Sequence, residues 1–169
     1  MKNIILLASL MVFTTATAFS QKYGHINFGN LIAQMPDTKT ADAQLETMQK
    51  DLVAKGEQMA ATFQKEYEAF AKSAQEGRLT PIQQQEQGAA LQKKQQEILA
   101  YEEEIRQKME TKRQELLKPI IEKAQKAIDE YAKANGYVMV FDTSVFNSVL
   151  FAKDADDLME PIKAKLGVQ

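Results

Sequence analysis

Gly77-Arg78-Leu79-Thr80-Pro81-Ile82-Gln83 is the stretch that decides the fold. Gly77 stops one helix, because glycine takes the left-handed conformation that closes a last turn. Thr80 offers its hydroxyl as the N-cap of the next helix. Pro81 fills the first helical position, where no N–H is needed, and Gln83 stands at the capping-box position. Four independent start-and-stop rules agree within this one stretch. The chain folds back here, at the tip of an antiparallel helical hairpin that runs from about Thr38 to about Asn135.

Upstream of the tip, Pro36 sets the entry and Asp37 or Thr38 caps the first long helix. Its apolar positions recur every eleven residues: Leu45, Gly56 and Tyr67; Met48, Met59 and Phe70; Leu52, Phe63 and Ala74. Such a repeat corresponds to about 3.67 residues per turn, a straight or slightly right-handed stripe. Gln, Lys, Glu, Asp and Ala fill the other faces, so the helix has one narrow apolar seam and is otherwise wet. Downstream, Leu91, Ile98 and Ile105 follow heptad spacing, then Met109, Leu116 and Ile120, with polar interruptions at Gln95 and Glu102. Glutamine dominates from Gln83 to Gln96, which makes the distal hairpin the mobile end. Pro119 removes a helical hydrogen bond and predicts a kink. The denser seam beyond it (Ile120, Ile121, Ala124, Ala127, Ile128, Tyr131) marks the junction between protruding arm and packed body. At ~1.5 Å per residue the two helices are roughly 55–60 Å and roughly 80 Å long.

The flanks read as strands. Residues 23–28 alternate, with Ile26 and Phe28 on one face and His25 and Asn27 on the other. Gly29-Asn30 ends that strand, and residues 31–35 form a single helical turn. After the Asn135-Gly136 stop, residues 137–141 are continuously apolar. Asp142-Thr143-Ser144 turns the chain into a return strand over 145–151, a β-hairpin. Asp154-Ala155-Asp156-Asp157 then caps a closing helix over 158–166, with Pro161 near its first turn. The fold class is α+β: a long antiparallel helical arm projecting from a small β-body. The domain reading is a leader over 1–20, body strand and entry over 21–37, arm over 38–118 with its tip at 77–81, and body over 119–169. So little chain remains for the body that it needs copies of itself to complete a core.

Residues 1–20 read as an export signal: Lys2 and Asn3, an apolar run from Ile4 to Phe13, then small residues with Ala16-Thr17-Ala18 and Ala18-Phe19-Ser20 as cleavage triplets. An apolar run of about ten residues is half the roughly twenty that span a bilayer. The mature chain then begins at Phe19 or Gln21. Cysteine is absent, so neither disulfides nor a thiol-linked lipid anchor enters the picture. Export without an anchor points to a periplasm or to secretion. Of 21 basic residues, Lys2 leaves with the leader and 20 face 23 acidic ones, a balance of −3. That excludes the basic footprint a nucleic acid requires.

No catalytic, cofactor or metal constellation emerges. His25, the single histidine, has no partner to make it a held base. Asp154-x-Asp156 opens like a calcium loop, but Met159 and Lys165 stand where glycine and glutamate are needed. Glu102-Glu103-Glu104 point around a helix in different directions. Gly24 and Gly29 do not form a phosphate cradle. Met48, Met59, Phe63, Tyr67 and Phe70 on the first helix fit two readings: packing against the second helix, or an adaptable contact surface. Two helices bury only one seam each against one another, so some of these side chains face the space between arms.

Taken together, several segments resemble the Skp family, the OmpH-like periplasmic chaperones for outer-membrane proteins. They are His25-Ile26-Asn27-Phe28, Met35-Pro36-Asp37, the tip Gly77-Arg78-Leu79-Thr80-Pro81, Leu117-Lys118-Pro119-Ile120, Ala134-Asn135-Gly136-Tyr137 and Asp154-Ala155-Asp156-Asp157. The resemblance implies a homotrimer whose strands form a small barrel, with three hairpins hanging around a cavity that holds unfolded outer-membrane proteins without ATP. Ile26, Phe28, Val138, Val140, Val149 and Phe151 would then be the oligomer interface, and Met48, Met59, Phe63, Tyr67 and Phe70 the client-binding residues. Well-known members are strongly basic, whereas this chain has a pI near 5.6. Lipopolysaccharide or membrane contact is therefore not carried over, and client attraction leans on methionine and aromatic contacts. The competing expectation is a non-enzymatic envelope adaptor that grips a folded partner with the same arms.

Overall fold

The computed structural model describes residues 21–168; the expected leader lies outside them. Strand β1 (Lys22–Ile26) leads into helix α1 (Phe28–Gln34) and then the long helices α2 (Pro36–Gln75) and α3 (Pro81–Ala134). Strand β2 (Tyr137–Asp142), a short 3-10 turn at Asp154–Asp156 and helix α4 (Met159–Leu166) complete the chain. The arm helices hold 40 and 54 residues, about 60 Å and 80 Å of helix.

The tip closes as its residue types dictate. Gly77 sits at φ +64°. Its N–H donates to the Ala74 carbonyl at 3.2 Å, and the Arg78 N–H donates to Ser73 at 3.0 Å, a Schellman closure. The Thr80 hydroxyl then accepts from the Gln83 N–H at 3.3 Å, while the Gln83 side-chain oxygen accepts from the Thr80 N–H at 2.9 Å. The capping box satisfies two donors that a helix start otherwise leaves orphaned.

β1 and β2 run parallel, with Tyr23 beside Met139 and His25 beside Phe141. Parallel neighbours need a crossover, and here the whole helical hairpin is that crossover. Successive β1 carbonyls point to opposite edges. The Ile26 carbonyl accepts from the Thr143 N–H at 3.0 Å, and the His25 carbonyl from the Leu158 N–H at 2.9 Å. The segment before α4 therefore lies along β1's other edge, in a one-residue parallel bridge between His25 and Asp157. Gly24 is required at this crossing: a Cβ there would sit 2.9 Å from Leu158 Cδ1 and 3.0 Å from Tyr137 Cε1. The core gathers Ile26, Leu31, Met35, Ala41, Ile120, Ala124, Ala127, Leu158, Ile162 and Val168 where β1, α1, α4 and the roots of α2 and α3 meet. Lys123 to Asp37 (2.7 Å) and Lys165 to Glu130 (2.9 Å) tie its rim.

Several local expectations give way. Phe28 begins α1 instead of ending the strand, because Asn27 caps that helix, its side-chain oxygen accepting from the Asn30 N–H at 2.9 Å. Asp142 takes the Phe28 N–H at 3.1 Å. The expected single turn thus becomes the seven-residue α1. Neither Asp37 nor Thr38 caps α2. Pro36 opens it behind Met35, and the buried Thr38 donates its hydroxyl back to the Ile32 carbonyl at 2.6 Å. The largest difference lies at 145–151, which forms no return strand within this chain. There the Asp142 carboxylate accepts the Ser144 N–H at 2.8 Å, and the Ser148 hydroxyl donates to the Asp142 carbonyl at 2.6 Å. Asn147 turns at φ 59°. These bonds coil the chain beside the end of β2 and prevent an antiparallel return. Burial raises the Asp142 carboxyl, but the Ser144 and Phe28 hydrogen bonds outweigh it and hold the group below its ordinary value. The Asp154–Asp156 acids form the 3-10 turn; Asp157 is the one whose carboxylate accepts at the start of α4, from the Met159 N–H at 2.8 Å.

Candidate functional site

The seam between α2 and α3 is built from single residues three, four or seven apart. On α2 it runs through Leu45, Met48, Leu52, Gly56, Met59, Phe63 and Phe70, and on α3 through Leu91, Ile98, Tyr101, Ile105 and Met109. Most of these are only half-buried, as expected of two helices with no third layer. Leu45, Leu91 and Tyr101 are buried, Tyr101 the most at 5% exposure. Its ring lies over Gly56, where a Cβ would meet it at 3.6 Å, and its hydroxyl donates to the Leu52 carbonyl at 3.2 Å. Lys55 stands above the same ring, 4.9 Å from its centroid. The seam thus passes through Lys94 and Tyr101, and the expected interruptions at Gln95 and Glu102 face solvent.

Toward the tip the seam opens into two clefts. The first, about 270 Å³, is lined by Gln58, Met59, Thr62, Phe63, Lys94, Glu97 and Ile98. The second, about 320 Å³, lies between Glu66, Ala69, Phe70 and Ser73 on α2 and Gln87, Ala90, Leu91 and Lys94 on α3, with Leu79 from the tip. Lys94 borders both, and it pairs across the hairpin with Glu66. Several surrounding charges pair within the arm. Lys50 pairs with Glu46, Lys93 with Glu97, Arg106 with Glu103 and Lys108 with Glu104. The hydrogen bonds from Lys50 and Lys108 hold the Glu46 and Glu104 carboxyls below the usual carboxylate range. Such exposed pairs add little stability, but they leave the arm with small local fields.

The sequence-predicted contact residues divide. Met59 and Phe63 line the first cleft and Phe70 the second. Met48 is half-buried in the seam nearer the body. Tyr67 stands off the seam at 51% exposure, its ring stacked on Phe63 at 6.1 Å between centroids. Thr62, Glu66, Ala69, Ala90 and Lys94 complete the clefts without any apolar signal that periodicity could register.

The residues expected at an oligomer interface divide as well. Ile26, 2% exposed, fills the protomer's own core and has no surface left for a neighbour. Phe28 and Val140 pack partly against that core. Val138 and Phe151 are exposed and Val149 half-exposed. Tyr23 and Phe141 line a cleft with Val149 and Phe151, and Met139, Val145, Phe146 and Leu150 are exposed as well. Phe146 is 91%, Leu150 89% and Phe151 83% exposed. β2 is hydrogen-bonded to β1 alone in this sheet, so its other edge is open. Among the described residues, no group of three or more His, Cys, Asp or Glu side chains is placed to hold a metal ion. Nor is any helix long and apolar enough to cross a membrane. His25 contacts the Lys153 carbonyl through Nε2 at 3.1 Å.

This architecture matches a known family model, the outer membrane protein (OmpH-like) model, over residues 22–166. The chain belongs to the OmpH-like family. A crystal structure from Caulobacter crescentus CB15, described as a candidate outer membrane chaperone (OmpH-like), superposes on this OmpH-like chain with a TM-score of 0.75. The two are 17% identical, with 87% of this chain and 84% of the other covered. At that identity the likeness establishes a shared fold. No curated protein matches the sequence.

Proposed function

We propose that this OmpH-like chain is an ATP-independent periplasmic holdase. It binds unfolded outer-membrane proteins through its arms and prevents their aggregation on the way to the outer membrane. The observation that carries the reading is the pair of open apolar clefts, bordered by self-paired charge, on a two-helix arm with no third layer to cover them. Family membership and the fold shared with a candidate outer membrane chaperone support it. Holding exposed apolar segments against such an arm keeps them from one another, the step that drives aggregation. Binding there needs no nucleotide site and no covalent chemistry.

The working unit in this reading is a homotrimer. Exposed apolar side chains gathered at the β-body mark an interaction surface, and an open sheet edge invites another strand. The apolar 145–151 segment then finds its partner on a neighbouring copy. Val138, Val149 and Phe151 serve that contact together with Phe146 and Leu150.

The test is light scattering of an unfolded outer-membrane barrel diluted from denaturant, with the purified protein and no nucleotide. Suppression near one trimer per client is the expected result. Unchanged aggregation in the presence of a folded, oligomeric protein would overturn the proposal.

A further inference from the structure

The holdase reading leaves open what pattern of client sequence the arm prefers, and the two clefts bear on that question. On both helices the lining residues of the two clefts fall to the same side of the seam: Gln58 and Thr62 continue into Ala69 and Ser73, and Glu97 into Ala90. The clefts therefore open along one groove of the hairpin. Along α2 their centres fall near residues 60–61 and 69–70, and along α3 near 96 and 90–91. At ~1.5 Å per residue this places them roughly 9–13 Å apart. Between them lies the Glu66–Lys94 pair, each side chain 41% exposed.

Pockets for a whole small molecule hold about 300–1,000 Å³. At about 270 and 320 Å³ the clefts lie at the lower bound of that range, room for one large side chain in each. An extended chain advances ~3.3 Å per residue and alternates its side chains, so same-face positions two and four apart are separated by about 6.6 and 13 Å. Only the four-residue spacing approaches the distance between the clefts. The residue midway on that face would sit over the ion pair, where a small or polar side chain costs least. Both charges at the divide are already paired, so the groove complements a neutral segment and gains nothing from an acidic or a basic one. We infer that the arm reads an extended, neutral, unfolded segment with large apolar side chains four residues apart, one in each cleft, and a small or polar residue between them. This rests on the holdase reading and assigns its substrate pattern. A helical occupant is disfavoured because it needs a continuous apolar stripe, which the ion pair breaks.

The experiment uses the intact protein and short neutral host peptides that contain proline and cannot form helix. Each carries two phenylalanines spaced by two, three or four residues, and binding is read by fluorescence anisotropy. The four-residue spacing is expected to bind about tenfold more tightly than the three-residue one, which can fill one cleft only. Thr62→Trp and Ala90→Trp fill one cleft each from exposed positions, and each is expected to abolish the preference while circular dichroism stays unchanged. Suppression of barrel aggregation is measured on the same preparations. If suppression persists with no spacing preference, or with one that survives both tryptophans, the pattern is wrong and the holdase reading stands. If only a helix-forming peptide with phenylalanines seven apart binds, the pattern is also wrong. Loss of both peptide binding and suppression in the unmodified protein would sink the holdase reading itself.

Discussion

The root and the outer half of the same helical hairpin are built from similar residues and packed very differently. At the root, Ile120, Ala124 and Ala127 of α3 are buried against Ala41, Leu31, Leu158 and Ile162. Small residues there let four elements approach closely. In the outer half the two helices have only each other, and Leu91 and Tyr101 are the positions that reach full burial on α3. A helix pair can close a narrow seam but cannot cover its sides. The difference separates a cooperative anchor, whose opening costs the whole domain's stability, from an arm of low local stability whose apolar groove remains available.

This contrast can be broken or sharpened one residue at a time. The largest effect belongs to Ile162→Ala, which empties a fully buried site at the root. A loss of about 2–5 kcal/mol in denaturant unfolding is expected, with the arm's contacts untouched. Gly24→Ala follows at about 1–3 kcal/mol, because the new methyl meets the fully buried Leu158. Thermal unfolding of that variant checks whether the root is as tightly filled as described. In the arm, Tyr101→Ala removes the knob over Gly56. The expected loss is local, about 1–3 kcal/mol. Hydrogen exchange should speed up around Leu52, Gly56 and Ile105 while root amides keep their protection. Gly56→Ala is the smallest change and has the opposite sign. The 3.6 Å gap to Tyr101 admits a methyl, and replacing glycine inside a helix stabilises it by roughly 0.5–1 kcal/mol. Slower exchange confined to the arm is the expected reading.

Much of this contrast was legible in the sequence, and the gaps have physical causes. The tip was readable because Gly77, Thr80, Pro81 and Gln83 act through bonds to their immediate neighbours. The clefts were readable in part: Met59, Phe63 and Phe70 announced themselves by spacing, whereas Thr62, Ala90 and Lys94 acquire their place only when α3 lies beside α2. Tyr101 was hidden for the same reason, since its socket is the missing side chain of Gly56 on the other helix. Phe28 misled because alternation favoured a strand while the short-range capping bond of Asn27 favoured a helix, and the cap prevailed. The 145–151 segment is the most instructive case. Val145, Phe146, Val149, Leu150 and Phe151 made the segment apolar enough for a strand, but the hydrogen bonds of Asp142 with Ser144 and Ser148 turn the chain before it can pair with β2.

The measurement closest to the central claim is hydrogen exchange on the intact protein with and without an unfolded outer-membrane barrel, in the absence of nucleotide. The account predicts new protection on the arm, concentrated at 58–73 and 87–98, with the root of the hairpin and β1 unchanged. Protection confined to the body, or suppressed aggregation with no change along the arm, would contradict it.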